Sequence, residues 1–432
     1  MKFSSTNNRA LSVSFTEAVR RGMPGDGGLF FPVSIPVCDG GFLGSLSGLA
    51  FREIAFGVAR LLLAGEIADA DLRRIVDGSM TFDAPLRMLD EVTAVLELFH
   101  GPTLAFKDFG ARFMARTMAH IRGADREEYT VLVATSGDTG SAVANGFHGL
   151  PGVSVVLLYP SGRVSDLQER QLTSLTGNVT ALEIGGTFDD CQKLVKLAFA
   201  DREVSGRRRL TSANSINVAR LLPQTFYYFN AVARLGTGGR DVVFSVPSGN
   251  LGNLTAGLVA WKMGLPVREF VAATNVNDVF CRYLATGRYA PERAVTTISN
   301  AMDVGDPGNL PRIRALFGDK IGEVRRAIRS YSCTDDETRS GIREAFERYG
   351  YVLDPHGAVA YAALGRYRAE RKGEFTGILL ETAHPAKFLD VYDGKMRELI
   401  EIPPRLCDIM GKEKHSVKLP AEYESLKSFL LQ

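Results

Sequence analysis

The sequence has few cysteines, and they form no recognisable arrangement. The 432-residue chain carries five of them, scattered and without a Cys-x-x-Cys spacing. An odd, dispersed set argues against a disulfide framework or a zinc knuckle, and it is typical of a reducing compartment. An HExxH motif and clustered carboxylates are also missing, so the sequence gives no candidate metal site.

Long apolar runs and an excess of charge are missing as well. No stretch approaches the 18 uninterrupted apolar residues of a membrane span, and the polar start, Met1 to Arg9, lacks the apolar region of a signal peptide. We therefore expect a cytoplasmic protein without a membrane partner. The net charge is +2, and no basic run is interleaved with aromatic residues, so nucleic acid is not an expected partner.

The chain does contain enough apolar sequence for a large folded protein. Hydrophobic residues make up 45% and charged residues 23%, and the length predicts two or three subdomains. Turns and helices are predicted up to about residue 95, and short β-branched runs then alternate with helical patterns. The predicted strands are 92–99, 129–134, 153–159, 179–184, 241–246, 270–274 and 377–381, and the predicted helices include 109–121, one ending near 145, 165–175 and 188–199.

This alternation predicts the α/β class, with parallel sheets flanked by helices. The lysine-rich tail from about residue 403 is predicted to be a surface extension.

A lysine lies just inside a predicted helix start, in the segment His100–Asp108. The N-terminus of a helix carries positive partial charge, so we expect the pKa of Lys107 to fall. A neutral lysine amine is a nucleophile that can hold an aldehyde as a Schiff base. The residues alone leave the alternative open that Lys107 is an ordinary surface lysine.

Two glycine-rich turns connect predicted strands to predicted helices. The turn Val246–Asn253 would point backbone N–H groups and a helix dipole at an anion, and it lacks the features of a Walker loop or a GxGxxG motif. It therefore favours a phosphate site without nucleotide machinery. The turn Thr135–Gly140 has hydroxyl and N–H groups that suit a carboxylate. For both turns, a plain strand-to-helix connection is the alternative.

Two further polar segments follow along the chain. Ser212–Arg220 combines two amides, two hydroxyls and an arginine, which suit a dianionic phosphate or a polar loop with a helix cap. Leu380–Phe388 lies at the end of the last predicted strand, where ligand sites of α/β proteins lie. The histidines are dispersed and form no catalytic triad.

In their order and spacing, these segments resemble the threonine synthase family, in its shorter microbial and fungal type, over nearly the whole chain. The matching stretches are 4–6, 24–32, 100–109, 134–140, 159–165, 185–191, 212–224, 246–253 and 382–388. The resemblance implies a lyase that depends on pyridoxal 5′-phosphate (PLP) and has fold type II, the tryptophan-synthase-β-like fold. A small α/β domain (125–215) would be inserted in a large PLP-binding domain (96–124 and 216–432), after an N-terminal region (1–95).

The resemblance also assigns roles to single residues. Lys107 would form the Schiff base with PLP and act as the base for the α-carbon proton. Thr382 would bond the pyridine nitrogen, and Asp138 would lie near the 3′-oxygen. The remaining assignments are Gly249, Asn250, Leu251, Gly252 and Asn253 for the cofactor phosphate, Ser136, Gly137 and Thr139 for the substrate carboxylate, and Asn214, Ser215 and Arg220 for the substrate phosphate.

The implied reaction converts O-phospho-L-homoserine and water into L-threonine and phosphate, catalysed by a monomer or homodimer whose small domain moves to close the site. Three alternatives stay open. A dehydratase or phospho-lyase of the same fold would release 2-oxobutyrate. The protein could also be a metabolite-binding protein without catalytic activity, but the presence of Lys107 and Thr382 argues against a decayed site. A nucleotide-binding Rossmann protein is disfavoured because GxGxxG is missing.

Overall fold

Two parallel sheets, each flanked by helices, form the α/β architecture of the computed structural model, which describes residues 1–135, 137–236, 240–371 and 373–432. The strands are β1 (Phe3–Ser5), β2 (Phe30–Pro32), β3 (Leu86–Met88), β4 (Thr93–Glu97), β5 (Tyr129–Ala134), β6 (Val153–Pro160), β7 (Val179–Gly185), β8 (Arg209–Thr211), β9 (Asp241–Pro247), β10 (Glu269–Thr274), β11 (Ile328–Ser332), β12 (Phe375–Glu381) and β13 (Val417–Pro420).

The helices surround these strands. They are α1 (Phe15–Arg21), α2 (Gly40–Ser45), α3 (Phe51–Leu62), α4 (Asp69–Ser79), α5 (Lys107–Asp125), α6 (Asp138–Phe147), α7 (Asp166–Thr173), α8 (Phe188–Ala200), α9 (Arg202–Arg207), α10 (Val218–Leu221), α11 (Thr225–Leu235), α12 (Gly252–Lys262), α13 (Val279–Thr286), α14 (Leu310–Leu316), α15 (Ile321–Ala327), α16 (Asp335–Tyr349), α17 (Pro355–Glu370), α18 (Gly394–Leu399), α19 (Pro404–Met410) and α20 (Tyr423–Leu431). A 3-10 helix, Pro385–Phe388, follows β12.

The larger sheet has six strands in the order β11-β10-β9-β12-β4-β3. All its pairings are parallel except β3 with β4. Every residue of β12 is buried because helices cover both faces of the sheet, which explains the continuous apolar run in its sequence. The strands of this sheet that we predicted, β4, β9, β10 and β12, are confirmed to within two residues at each end.

The smaller sheet has five parallel strands in the order β13-β7-β6-β5-β8. The segment 125–215, which we proposed as an inserted domain, contributes β5 to β8. The boundary that we placed after residue 95 falls inside β4, so the N-terminal region supplies β3 and part of β4 to the larger sheet.

The prediction of a surface extension at the C-terminus was wrong. The tail adds β13 to the edge of the smaller sheet, where Val417 to Pro420 pair with Leu182 to Gly185. Helix α20 then packs against α8 and buries Leu426 and Leu430. The two leucines are four residues apart, so they share one face of the helix, while the charged residues of the tail stay outside.

The described residues were also compared with the requirements of a membrane-spanning helix and of a metal site. No helix in these ranges is long and apolar enough to cross a membrane. No group of three or more metal-ligating side chains is found in them either. All five cysteines are free thiols.

Candidate active site

The turn before α5 is joined to the carboxyl end of β12. The N–H of Phe106 donates to the carbonyl of Thr382 at 2.9 Å, and Ala105 forms an antiparallel bridge with Ala383. Helix α5 begins at the next residue, Lys107, two residues before the predicted helix 109–121, so the lysine lies at a helix start as expected. Two segments far apart in sequence therefore place Lys107 and Thr382 side by side.

Lys107 is electrostatically unusual. Its pKa falls from 10.5 to about 8, mainly because of burial; the nearby Arg220 acts in the same direction, and Asp138 opposes both effects. The expected direction is thus confirmed, but the main cause is removal of the amine from water rather than the helix terminus that we invoked. Its Nζ lies 4.5 Å from the centre of the Phe106 ring. A lysine with this pKa has a substantial neutral fraction near neutral pH.

The turn between β9 and α12 leaves hydrogen-bond donors free. Leu251 has a left-handed conformation, with φ of 60°, and no side chain caps the first N–H groups of α12. The Oδ1 of Asn253 accepts bonds from the hydroxyls of Tyr227 and Tyr228, at 2.8 and 2.7 Å. Its buried Nδ2 has no partner among the described residues. Such a turn is suited to an external anion.

Residues from other segments also pack closely against this turn and fix its conformation. A Cβ on Gly249 would lie 2.7 Å from the Cα of Met302, a backbone atom, so only glycine fits there. Asn250 donates from Nδ2 to the hydroxyl of Ser215 at 2.8 Å, and Asn309 donates to the same hydroxyl at 3.1 Å. The structure thus brings two of the predicted segments, 212–220 and 246–253, into direct contact.

Arg220 is a buried cation beside α5. It is 2% exposed and donates from Nη1 to the carbonyl of Ala213, while its buried Nε has no partner among the described residues. Its carbonyl lies against Gly110, where a Cβ would be only 2.6 Å away. Burial lowers the pKa of Arg220 from 12.5 to about 10. A desolvated cation with a spare donor is well suited to bind an anion.

The sequence patterns did not identify a second buried arginine, Arg312. Arg312 donates to the carbonyls of Phe30, Ser215 and Ile216 and to Oδ1 of Asn309, so it holds the segment that contacts the glycine turn. Burial lowers its pKa from 12.5 to about 9. No sequence pattern separates Arg312 from Arg314, a partly exposed residue of the same short helix, so no local signal would have revealed it.

The turn between β5 and α6 differs from the α12 turn. The hydroxyl of Thr135 accepts from the N–H groups of Gly137 and Gly140, at 3.1 and 2.8 Å, and is therefore used inside the turn. Gly137 has a φ of 147°, and a Cβ there would lie 2.7 Å from the Gln168 side chain. Ser136 lies outside the described residues. The substrate contacts that we assigned to Gly137 and Thr139 stay predictions.

Asp138, the first residue of α6, forms a buried ion pair with Lys387. Nζ of Lys387 also donates to the carbonyl of Thr103 at 3.2 Å, and Nε2 of Gln168 donates to Asp138 at 3.3 Å. Burial acts to raise the pKa of Asp138, but the Lys387 ammonium, with smaller contributions from His356 and the Gln168 amide, outweighs it and leaves the pKa below the ordinary value. Lys387 belongs to the predicted segment Leu380–Phe388, but we had given it no role.

Beneath Thr382 lies a pair of buried acids. Oδ2 of Asp354 accepts from the N–H groups of Thr382 and Ala383, at 3.1 and 3.0 Å. Its Oδ1 lies 2.6 Å from Nδ1 of His356. Burial and the neighbouring Asp354 raise the pKa of Glu381 well above its ordinary value. Asp354 therefore fixes the backbone that presents the Thr382 side chain.

Three family models match the chain. One is described as a pyridoxal-phosphate dependent enzyme and matches residues 84–379, one as threonine synthase N terminus at 2–80, and one as threonine synthase, C-terminal, at 357–430. The threonine synthase of Escherichia coli strain K12 is 43% identical over 432 residues, which are 100% of this chain and 99% of the relative. The chain belongs to the threonine synthase family.

Solved structures agree with this membership. The crystal structure of threonine synthase from Escherichia coli matches with a TM-score of 0.92 and 42% identity, over 100% of this chain and 99% of that one. A PLP-bound threonine synthase from Brucella melitensis matches with a TM-score of 0.91 and 36% identity, over 100% and 98% of the two chains. As a member of this family, the protein is a PLP-dependent enzyme with an α/β fold of parallel sheets.

The site itself fits such a cofactor. Lys107 supplies an amine of lowered pKa for an aldehyde, and the unpartnered Nδ2 of Asn253, with the uncapped start of α12, supplies donors for a phosphate. The glycine at 249 lets the backbone come close without a Cβ in the way.

Proposed function

We propose that this enzyme converts O-phospho-L-homoserine and water into L-threonine and phosphate at the site around Lys107. The observation that carries the proposal is a pair of separate buried donors, Asn253 Nδ2 and Arg220 Nε, that have no partner among the described residues, together with the effect of Arg220 on the lowered pKa of Lys107. A phosphorylated substrate brings one phosphate and PLP brings another, so the reaction needs two anion sites.

The cofactor would be held at both ends. Lys107 would bond its aldehyde, and the start of α12 with Gly249 to Asn253 would hold its phosphate. The Thr382 hydroxyl would face the pyridine nitrogen, and Asp138 would lie near the 3′-oxygen. When bound, PLP supplies an electron sink that stabilises negative charge at the substrate α-carbon.

The side chains of this chain would then bind the substrate and move its protons. Arg220, with Asn214 and Ser215, would bind the substrate phosphate through charge-assisted hydrogen bonds. The turn that contains Ser136, Gly137 and Thr139 would hold its carboxylate. Lys107 would take the proton from the α-carbon, because an amine with a pKa of about 8 is roughly one-tenth neutral at pH 7.

The first test is Lys107→Ala, with Lys196→Ala on an exposed face of α8 as the matched control. The purified proteins are loaded with PLP, the visible spectrum is recorded, and O-phospho-L-homoserine is added. We expect the wild type and the control to show the absorption band of lysine-bonded PLP and to release threonine and phosphate one to one. Lys107→Ala should lose the band and at least about 10³-fold in rate.

Other outcomes would redirect the proposal. Phosphate with 2-oxobutyrate in place of threonine would make the enzyme a phospho-lyase of the same fold. A band that persists in Lys107→Ala would remove Lys107 from its role. The cytoplasmic location, the monomeric or homodimeric state, the domain boundaries and the closing motion of the small domain stay predictions from the sequence.

A further inference from the structure

The ion pair between Asp138 and Lys387 joins the two halves of the fold inside the site. Asp138 starts α6 beside the smaller sheet, and Lys387 lies in the 3-10 helix after β12 of the larger sheet. The Lys387 side chain is 0% exposed and that of Asp138 is 7% exposed. A buried ion pair of this kind often stabilises a protein no better than two apolar side chains would, because both charges lose their water. Its place inside the site, beside the charges that act on Lys107, points to a role in the chemistry.

Asp138 has two amines within electrostatic range. Lys387 is in contact with it, and Lys107 interacts with it electrostatically, since the Asp138 carboxylate favours the protonated form of Lys107. Arg220 faces Lys107 with the opposite effect, and His356 faces Asp138 as a further positive influence. The protonation state of Lys107 thus depends on whether the Asp138 carboxylate is paired with Lys387 or with Lys107 itself.

We propose that Lys387 is a positioning residue whose ammonium holds the Asp138 carboxylate and so keeps that carboxylate from becoming the counter-ion of Lys107. The inference rests on the proposed role of Lys107 as a nucleophile and base, because both roles require the neutral amine. Without Lys387, the N-terminus of α6, the Gln168 amide and a protonated Lys107 would be left to hold the Asp138 carboxylate against the effect of burial. Lys107 would then be held as a protonated partner.

The contacts of Lys387 support this role. Its Nζ is anchored on the carbonyl of Thr103, and Nε2 of Gln171 donates to the same carbonyl at 3.3 Å. Thr103 in turn donates from its N–H and its hydroxyl to Asp108, the residue after Lys107. The Lys387 ammonium, which pairs with Asp138, is therefore fixed to the same turn that carries Lys107. The relative positions of Lys387, Asp138 and Lys107 are thus determined by one set of contacts.

The test measures the titration of Lys107 directly. Full-length protein freed of cofactor is treated with an amine-acylating reagent over a range of pH, and acylation of Lys107 is followed by peptide mass mapping, with exposed Lys196 as the internal reference. In Lys387→Met we expect the apparent pKa of Lys107 to rise by about one unit or more, so that its acylation at pH 7 falls about tenfold or more relative to Lys196.

Companion variants separate charge from packing. Lys387→Arg keeps the charge and should keep the wild-type profile. Asp138→Asn should lower the apparent pKa of Lys107, and the double variant Asp138→Asn/Lys387→Met should return it close to the wild-type value. A merely structural role would shift single and double variants in the same direction. If Lys387→Met does not fold, the predicted difference between Asp138→Asn and the double variant remains a full test.

An unchanged or lowered pKa of Lys107 in Lys387→Met overturns the inference, as does a double variant that fails to return towards the wild type. These outcomes are distinct from failure of the proposed function. If the acylation pattern fails while the wild type makes threonine, only the role of Lys387 falls. If the pattern holds and the wild type makes no threonine, the inferred charge arrangement stands and the proposed reaction falls.

Discussion

The two glycine-rich turns of the site, before α6 and before α12, have the same strand-turn-helix arrangement but differ in the charge at the start of the helix. Each follows a buried parallel strand and starts a helix of similar length, 10 residues for α6 and 11 for α12. The positive end of α6 is occupied by its own anion, Asp138, which is paired with Lys387. The positive end of α12 has no acidic residue in its first turn, and the Nδ2 of Asn253 has no partner in the part of the chain that the structure describes.

The difference shows how one fold separates two tasks. At the start of α6, the Asp138 carboxylate offsets part of the positive partial charge and arranges the neighbouring charges, so the hydroxyl and N–H groups of the turn would have to bind a further anion. A helix start with neutral donors gains most from an external phosphate. We therefore assign the cofactor phosphate to α12 and the adjustment of charge at Lys107 to α6, and four substitutions can break or sharpen that comparison.

The largest expected effect comes from making α12 resemble α6. Asn253→Asp has the same shape and keeps the acceptor for the hydroxyls of Tyr227 and Tyr228, but it replaces the free donor with a negative charge. Repulsion of a phosphate should weaken PLP binding by about 2–4 kcal/mol, which is roughly 30- to 1,000-fold. A PLP titration followed by absorbance measures this change.

The matched control is Asn8→Asp, which makes the same chemical change in an exposed turn and should leave PLP affinity as it was. Inorganic phosphate serves as a second probe, since it should compete with PLP in the wild type and much less in Asn253→Asp. If Asn253→Asp binds PLP as tightly as the wild type, the cofactor phosphate binds elsewhere. The assignment of the phosphate to the start of α12 would then be wrong.

A smaller effect is expected from Gly249→Ala, which tests the close packing of the α12 turn. The new Cβ would lie 2.7 Å from the Cα of Met302, and backbone on both sides must shift to accept it. We expect a loss of about 1–3 kcal/mol in the free energy of unfolding, measured by urea denaturation, together with weaker PLP binding.

Gly206→Ala is the control for this substitution. Gly206 lies in α9 with no atom within 4 Å of the added Cβ, so alanine there should leave stability unchanged or slightly raised. Equal stability of Gly249→Ala and the wild type would show that the turn can relax, and that its glycine is not needed for close approach.

Most strands and the two glycine-rich turns of the site could be predicted from the sequence, because the patterns that indicate them span only a few neighbouring residues. The apolar runs of β5, β6, β9 and β12 mark strands by their composition alone, and the turns that follow them carry the polar residues of the site. The helix start at Lys107 is likewise encoded within a few residues. Local patterns therefore located the candidate lysine and both glycine turns.

The residues that escaped prediction act across long separations in the chain. Lys387 meets Asp138 from 249 residues away, and Arg312 reaches the carbonyl of Phe30 from 282 residues away. A single sequence reveals periodicity but not which distant side chains meet, and a buried cation looks like any other basic residue. The pairing of β13 with β7 was missed for the same reason, since a short charged strand carries no strong signal of its own.

The smallest expected effect concerns how the free amide of α12 is oriented. Tyr227→Phe and Tyr228→Phe each remove one hydroxyl donor from Oδ1 of Asn253 without changing the packing of the ring. Each should weaken PLP binding by about 0.5–1.5 kcal/mol, roughly two- to tenfold in the same titration. Tyr361→Phe, whose hydroxyl bonds only Glu344 among the described residues, is the control and should bind PLP like the wild type.

The double variant is the sharper measurement. With one tyrosine hydroxyl left, Asn253 still has a donor that fixes its Oδ1, and its Nδ2 still faces away from the tyrosines. With both hydroxyls gone, either end of the amide can face the phosphate, so the loss in the double variant should exceed the sum of the two single losses. Strictly additive losses would mean that the tyrosines act independently, and that the α12 turn presents its donor without their help.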